Sequence, residues 1–172
     1  MINSRVIAIF LMMLFVSTHY LYAQTLKVGA KVPEFKLTDQ DGNEFDLDSV
    51  IGKRNIVIYF YPKDFTPGCT KEACSFRDQF DDFKQSDALI IGISAQSIKS
   101  HKEFAEKYRL PFTLLSDKDN EVRKLFGVRT NPIPGRVTFV VNKMGHIVYT
   151  FDSLTQPEKH VEEAMAILKK LG

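Results

Sequence analysis

Apolar runs and amphipathic stretches alternate along the chain from residue 24 onward. Two nearly continuous apolar runs, at residues 55–61 and 88–93, are rich in β-branched and aromatic side chains, which is typical of strands buried on both faces. Between them, phenylalanines at helical spacing predict one amphipathic helix over residues 68–84. A strand, a helix and a second strand in this order form a crossover unit, so we expect the two strands to pair in parallel.

Turn signals and shorter patterns place the remaining elements. Residues 33–38 and 44–47 flank an Asp-Gly pair, which predicts an amino-terminal β-hairpin. A short strand is predicted at 112–115, a second hairpin at 136–142 and 146–151, and helices at 98–108, at 120–126 and after Thr155. Together these elements predict a three-layer α/β domain, with a central mixed β-sheet flanked by helices and an N-terminal β-hairpin extension. A thioredoxin-like fold fits this order.

Residues 1–23 differ from the rest of the chain. Arg5 precedes the unbroken apolar run 6–16, and a polar break and Ala23 follow, which is the layout of a cleavable secretory signal peptide. This run would rise only about 16 Å as a helix, roughly half a bilayer core, so a membrane span is the poorer interpretation. We therefore expect cleavage after Ala23, a mature domain over residues 24–172 and a periplasmic or extracellular location, with an uncleaved anchor as the alternative. Export would place both cysteines where thiols tend to be oxidised.

Composition and charge exclude several classes of function. The 172 residues carry 23 basic and 21 acidic side chains, a net charge of +2, and hydrophobic residues make up 44%. That composition is typical of an ordinary globular protein. The balanced charge supplies no broad positive field for nucleic acid and no lysine-rich stripe for anionic lipid, so we expect neither partner. Only 2 cysteines are present, and the specific chemistry is expected around them.

Cys69 follows a predicted buried strand and opens a predicted helix. In open α/β sheets, active sites form at the carboxyl ends of strands. Free backbone N–H groups and the positive end of a helix dipole would favour the thiolate, which is the nucleophilic form of cysteine. Pro62 stiffens the preceding loop, and Gly68 lets the backbone approach a small ligand. Thr66 adds a hydroxyl that can both donate and accept, so the pocket suits a ligand with two adjacent oxygen atoms.

The spacing of Cys69 and Cys74 bears on whether they form a resting disulfide. In one continuous helix, Cα atoms five positions apart are separated by about 8.6 Å. A disulfide needs a Cα separation below about 7 Å. A permanent structural disulfide is therefore disfavoured unless this stretch is not helical, and closing the pair would require at least one turn to unwind.

The sequence around Cys69 resembles the active-site signature of peroxiredoxins, and most of all the bacterioferritin comigratory protein subfamily, also called peroxiredoxin Q. The matching run is Tyr59-Phe60-Tyr61-Pro62-Lys63-Asp64-Phe65-Thr66-Pro67-Gly68-Cys69-Thr70-Lys71-Glu72-Ala73-Cys74. The resemblance extends from residues 29–35 through 134–139 to the last helix. It implies a thioredoxin-like fold and a thiol peroxidase that works without haem, flavin or metal.

The resemblance also implies roles for individual residues. Cys69 matches the peroxidatic cysteine, which becomes a sulfenic acid, and Cys74 matches the resolving cysteine, which forms a disulfide with it after local unwinding. Thr66 matches the threonine that hydrogen-bonds the peroxide and the thiolate, and Pro62 the proline that shields the pocket. Arg136 matches the arginine whose permanent charge favours the thiolate.

Substrates and partners follow from the same resemblance. Hydrogen peroxide and organic hydroperoxides would bind at four residues, namely Thr66, Gly68, Cys69 and Arg136. A thioredoxin-like reductant would return the disulfide to the dithiol. We expect a monomer, with a dimer left open, and no stable membrane association once the signal peptide is removed. Glu72 matches a subfamily glutamate, and both a functional role and simple complementation of the helix dipole remain open.

Other polar residues are interpreted as structural or solvated. We expect exposed charges at Lys63, Asp64 and Arg129. Three histidines are expected on helix and hairpin surfaces, namely His101, His146 and His160. Their scattered positions argue against a metal site.

Two other functions remain as alternatives. An exported thiol–disulfide oxidoreductase of thioredoxin-like fold needs two residues between its cysteines, whereas four separate Cys69 from Cys74. A copper-binding chaperone module would use C-x-x-x-C with a distal histidine, and the spacing here differs by one residue. The copper-binding function would also leave Pro62 and Thr66 unexplained.

Overall fold

The predicted strand–helix–strand unit forms the centre of the sheet. The computed structural model describes residues 24–171, and the predicted signal peptide at 1–23 lies outside the described residues. Strands β3 (Asn55–Phe60) and β4 (Ala88–Ser94) pair in parallel, as predicted, with Asn55 opposite Ala88 and Phe60 opposite Ile93. Both strands are buried almost throughout, which accounts for their continuous apolar sequences.

Residues 24–171 contribute seven strands to a single mixed sheet. The other five are β1 (Lys36–Asp39), β2 (Glu44–Asp46), β5 (Thr113–Ser116), β6 (Val137–Val141) and β7 (Ile147–Asp152). The strand order is β2-β1-β5-β4-β3-β6-β7. β5 runs parallel to β4, whereas β6 and β7 form the predicted antiparallel hairpin beside β3. The amino-terminal hairpin extends the sheet, because β1 pairs antiparallel with β5.

Helices cover both faces of the sheet. They are α1 (Pro67–Asp78), α2 (Phe80–Gln85), α3 (Ile98–Tyr108), α4 (Glu121–Leu125) and α5 (Pro157–Leu171), with a 3-10 turn at Leu47–Ser49. Alternate β3 residues face opposite cores: Val57 and Tyr59 pack with α1, α2, α3 and α5, whereas Ile56 and Ile58 pack with α4 and the amino-terminal segment. The three-layer α/β prediction is confirmed. None of the helices in residues 24–171 is both long and apolar enough to cross a bilayer.

The predicted helix over residues 68–84 is two helices. α1 ends at Asp78, and Gln79 leaves helical geometry with φ −106° and ψ 11°, its N–H directed at the carbonyls of Ser75 and Arg77. Apolar periodicity could not show this break, because the phenylalanines on either side keep helical spacing across it. α1 itself is continuous through both cysteines.

Candidate active site

Cys69 lies in the first turn of α1, where the loop after β3 turns into the helix. We call residues 61–66 the β3–α1 loop. Thr66 is the N-cap residue, with extended backbone, and Pro67 takes the first helical position, where its missing N–H costs nothing. The first N–H groups of a helix lack intrahelical partners and carry its positive end. The Cys69 side chain is only 1% exposed, so this positive end faces a sulfur that is largely shielded from water.

Arg136 contacts Cys69 although the two residues are 67 positions apart in the sequence. It precedes β6, and β6 pairs with β3 so that Val137 lies opposite Phe60, which places Arg136 beside the β3–α1 loop. Its Nη2 is 3.4 Å from Cys69 Sγ, and its Nε donates to the Leu154 carbonyl at 3.3 Å. A guanidinium is always charged in proteins, so a positive charge is in contact with the sulfur.

Gly68 makes room for this guanidinium. A Cβ at Gly68 would stand 3.1 Å from Arg136 Nη2, closer than ordinary van der Waals contact. The sequence predicted that Gly68 allows the backbone to approach a ligand. In the structure, the side chain that approaches it is that of Arg136.

Glu72 belongs to the same buried cluster. Arg136 Nη1 donates to Glu72 Oε2, while Glu72 Oε1 has no hydrogen-bond partner among the described residues and lies 3.8 Å from His160 Nδ1. Burial raises the pKa of Glu72 to about 8, although the Arg136 charge acts in the opposite direction. The carboxyl is therefore not a solvated group that merely complements the helix dipole.

Thr66 and Pro62 lie around the site without touching the sulfur. The Thr66 hydroxyl donates to the Lys63 carbonyl at 3.0 Å. Pro62 is half-buried and follows the buried Tyr61. The structure thus brings Arg136 and Gly68 into contact near Cys69, but it does not join Thr66 to the thiol by a hydrogen bond.

The two cysteines are separate thiols. Cys69 is buried, Cys74 is half-buried, and both are free. Because α1 is continuous from Pro67 to Asp78, their Cα atoms are about 8.6 Å apart by helix geometry. The resting state has the open pair that the spacing predicted.

Asp64 and His101 are buried, so the prediction that they are solvated or on the surface is wrong. Their exposures are 2% and 0%. Asp64 accepts hydrogen bonds from the Tyr61 hydroxyl at 2.7 Å and from the Ser100 hydroxyl at 2.6 Å, and its Oδ2 is 2.9 Å from His101 Nδ1. Burial would raise the pKa of Asp64, but the bonds from His101, Ser100 and Tyr61 outweigh it and lower the pKa below its ordinary value. His101 Nε2 lies 3.2 Å from the Leu115 carbonyl, so both ring nitrogens have hydrogen-bond partners.

His160 is also buried, which again corrects the surface interpretation. Its Nε2 must donate to the Ser153 carbonyl at 2.8 Å, so its Nδ1 accepts from the Thr138 hydroxyl at 2.8 Å. Burial lowers the pKa of His160 to about 4, although the bond to Ser153 opposes this, so the ring is neutral at pH 7. His146 is exposed as predicted, and so are two of the charges assigned to the surface, Lys63 and Arg129.

Sequence reasoning missed Arg123 entirely. It is 1% exposed, and its guanidinium donates to the carbonyls of Gly135 at 2.9 Å and Tyr61 at 2.8 Å. Its neighbours Glu121 and Lys124 are exposed, and no feature of the local pattern separates Arg123 from them. Only the three-dimensional path of the chain shows that it reaches the β3–α1 loop.

Comparisons with known proteins agree with this geometry. The model of the AhpC/TSA family matches residues 28–150. The chloroplastic peroxiredoxin Q of Oryza sativa subsp. japonica is 50% identical over 146 residues, which cover 83% of this chain and 67% of the relative. That of Sedum lineare is 47% identical over 154 residues, 88% of this chain and 82% of the relative.

Solved structures give the same assignment. Peroxidoxin BcpB from Mycobacterium tuberculosis superposes with a TM-score of 0.82 at 34% identity, covering 86% of this chain and 99% of that one. Peroxiredoxin Q of Xanthomonas campestris superposes with a TM-score of 0.76 at 30% identity, covering 86% of this chain and 98% of that one. These neighbours support the thioredoxin-like fold.

One prediction is contradicted by the comparisons. The plant relatives are described as chloroplastic, so the predicted periplasmic or extracellular location is wrong. The family match over most of the chain and the identity to peroxiredoxin Q proteins establish the family of this chain. The chain belongs to the AhpC/TSA family as a peroxiredoxin of the Q type, a thiol-dependent peroxidase whose family acts on peroxides and is recycled by a thioredoxin-type reductant.

Proposed function

We propose that the domain of residues 24–172 reduces hydrogen peroxide and organic hydroperoxides at Cys69. The observation that carries this proposal is the contact of 3.4 Å between Arg136 Nη2 and a thiol that is 1% exposed at a helix start. A fixed positive charge in contact with a sulfur favours the thiolate over the thiol, and only the thiolate is an effective nucleophile.

In the first step, the Cys69 thiolate attacks one peroxide oxygen. A sulfur–oxygen bond forms and the oxygen–oxygen bond breaks, and the departing oxygen takes a proton and leaves as water or alcohol, with Cys69 oxidised to the sulfenic acid. Arg136 stabilises the charge that moves onto the departing oxygen. Because the Thr66 proton is directed at the Lys63 carbonyl, the Thr66 oxygen is free to accept the O–H of the peroxide. Pro62 shields this reaction from bulk water.

In the second step, the Cys74 thiolate attacks the sulfur of the Cys69 sulfenic acid. The sulfur–oxygen bond breaks as the sulfur–sulfur bond forms, and the departing hydroxide takes a proton from solvent and leaves as water. Since the pair is about 8.6 Å apart in the intact helix, at least one turn of α1 must unwind first. A thioredoxin-type dithiol then reduces the disulfide by exchange, through a mixed disulfide, and becomes oxidised itself.

Two matched serine variants test this scheme. With peroxide added to the purified protein, Cys69→Ser is expected to abolish peroxide consumption. Cys74→Ser is expected to complete one turnover per molecule and to leave a sulfenic acid that dimedone traps at Cys69. Peroxide consumption by Cys69→Ser at the wild-type rate would overturn the proposal, and continued turnover of Cys74→Ser with a thioredoxin-type reductant would remove Cys74 from it.

A further inference from the structure

Arg123 bridges the two chain segments that form the peroxidase site. It lies in α4, on the face of the sheet opposite α1, and among residues 24–171 it is the bulkiest of the fully buried side chains. Its Nη1 donates to the carbonyl of Gly135 at 2.9 Å, and its Nη2 donates to the carbonyl of Tyr61 at 2.8 Å. These carbonyls belong to the residues directly before Arg136 and Pro62. One rigid guanidinium therefore sets the separation between the start of the β3–α1 loop and the segment that carries Arg136.

Within residues 24–171, no carboxylate is in contact with the Arg123 guanidinium. Both terminal nitrogens bond neutral carbonyls, and the nearby Asp117 accepts instead from the backbone N–H groups of Val122 and Arg123. Burial lowers the pKa of Arg123 to about 10, whereas the negative charges of Asp117 and of the Cys69 thiolate raise it, so the guanidinium stays charged at neutral pH. A buried cation is costly unless an anion compensates it. Asp117 and the Cys69 thiolate are such anions.

Arg136 cannot give its whole charge to the thiolate. It contacts Cys69 through Nη2, and through Nη1 it also binds Glu72. When Glu72 is ionised, it neutralises part of the field that Arg136 exerts on the sulfur. Arg123 is a second positive charge in the same buried region, and its guanidinium bonds only neutral carbonyls, although the charge of Asp117 also acts on it.

We propose that Arg123 is a positioning residue of the peroxidase site: it holds Pro62 and Arg136 in place around Cys69, and its charge favours the thiolate. This inference rests on the proposed role of Cys69. It assigns two separable functions to one side chain, namely a fork of two hydrogen bonds and a positive charge. Arg123→Met removes both functions, whereas Arg123→Lys keeps the charge but cannot reproduce the fork.

The charge is tested by the pH profile of Cys69 alkylation with iodoacetamide, in a Cys74→Ser background so that Cys69 is the only thiol. We expect Arg123→Met to move the midpoint of this profile upward by about one pH unit, which is a tenfold loss of thiolate at pH values below the midpoint. Arg123→Lys should stay close to the parent midpoint. Lys124→Met is the matched control, since it removes a positive charge from the adjacent, exposed position of the same helix and should leave the midpoint unchanged.

The fork is tested by peroxide kinetics with Cys74 present. We expect Arg123→Lys to lower kcat/KM by about tenfold at an unchanged alkylation midpoint, because misplacement of catalytic groups costs rate without changing ionisation. An unchanged midpoint in a folded Arg123→Met protein would overturn the charge role, and Arg123→Gln replaces it in this test if the methionine variant does not fold. Wild-type kcat/KM in Arg123→Lys would overturn the positioning role. Failure of the proposed function would look different, because the parent protein itself would then not consume peroxide.

Discussion

Two buried polar clusters flank the β3–α1 loop, and they differ in how completely their groups are paired. In the Asp64–His101 cluster, both carboxylate oxygens and both ring nitrogens have partners. In the Cys69–Arg136–Glu72 cluster, Glu72 Oε1 has no partner among the described residues, and the sulfur accepts its bond from Arg136 at 3.4 Å. A fully satisfied network makes a core segment rigid, whereas an incompletely satisfied one keeps groups available for reaction. We therefore infer that the first cluster holds the loop, and the second is the cluster to which we assign the proposed chemistry.

The largest expected effect comes from breaking the satisfied cluster. Asp64→Ala would leave the buried His101 ring and the hydroxyls of Tyr61 and Ser100 without the carboxylate that they share. Removal of one member of a buried polar pair or network costs about 3–5 kcal/mol. We expect a fall of that size in the free energy of unfolding, measured by urea denaturation at pH 7. Asp41→Ala is the control, because Asp41 pairs with Lys102 on the surface and should change stability by less than about 1 kcal/mol. Equal effects of the two substitutions would contradict a structural role for the Asp64–His101 cluster.

Substitution in the Cys69–Arg136–Glu72 cluster should lower the reaction rate more than the stability of the fold. Arg136→Met removes the charge in contact with Cys69, and loss of one preorganised donor to a developing charge typically costs about 10²–10³ in rate. We expect a fall of this size in kcat/KM for hydrogen peroxide. The free energy of unfolding should change less than in Asp64→Ala, because Glu72 can remain buried in its neutral form when its partner is removed.

Arg129→Met is the matched control for this substitution. Arg129 is exposed on the chain segment that leads to Arg136, so kcat/KM should be unaffected. Near-wild-type activity of Arg136→Met would show that the contact with Cys69 does not promote the reaction.

The contrast between the two clusters also shows what the sequence could predict. The strands β3 and β4 and the two hairpins were predictable because long apolar runs and turn residues are local signals. Asp64 and His101 were assigned to the surface because burial of a polar side chain depends on its partners, and these two are 37 positions apart. Arg123 was missed for the same reason, since its acceptors lie 12 and 62 positions away.

The candidate site was predictable only through resemblance to a family. Local pattern placed Cys69 at a helix start, but no periodicity could bring Arg136 to a thiol 67 positions earlier. That approach depends on the antiparallel pairing of β6 with β3, which is a property of the whole sheet. The break between α1 and α2 was invisible in the pattern as well, because it interrupts the backbone without interrupting the apolar spacing.

The smallest expected effect is a change in pH dependence. The pKa of Glu72 is raised to about 8, so below that pH the carboxyl is neutral and leaves the Arg136 charge to Cys69, whereas above it the carboxylate competes for that charge. We therefore expect wild-type kcat/KM to decline as the pH rises through about 8, by less than tenfold. Glu72→Gln keeps the shape of the side chain but cannot ionise, so its profile should lack this decline and stay above the wild-type profile at high pH.

Glu163→Gln provides the comparison for Glu72→Gln. Glu163 is a half-buried carboxylate that accepts a hydrogen bond from Tyr149, in a helix that does not carry either cysteine, and its substitution should leave the step in place. If kcat/KM of Glu72→Gln and of the wild type decline in parallel, the decline near pH 8 belongs to another group, and Glu72 only fills space beside Arg136. If the step disappears in Glu72→Gln alone, the unpaired carboxyl oxygen marks a group whose ionisation regulates the charge available to Cys69. The Asp64 carboxylate contributes no such titration near pH 8, because its lowered pKa keeps it ionised throughout this range.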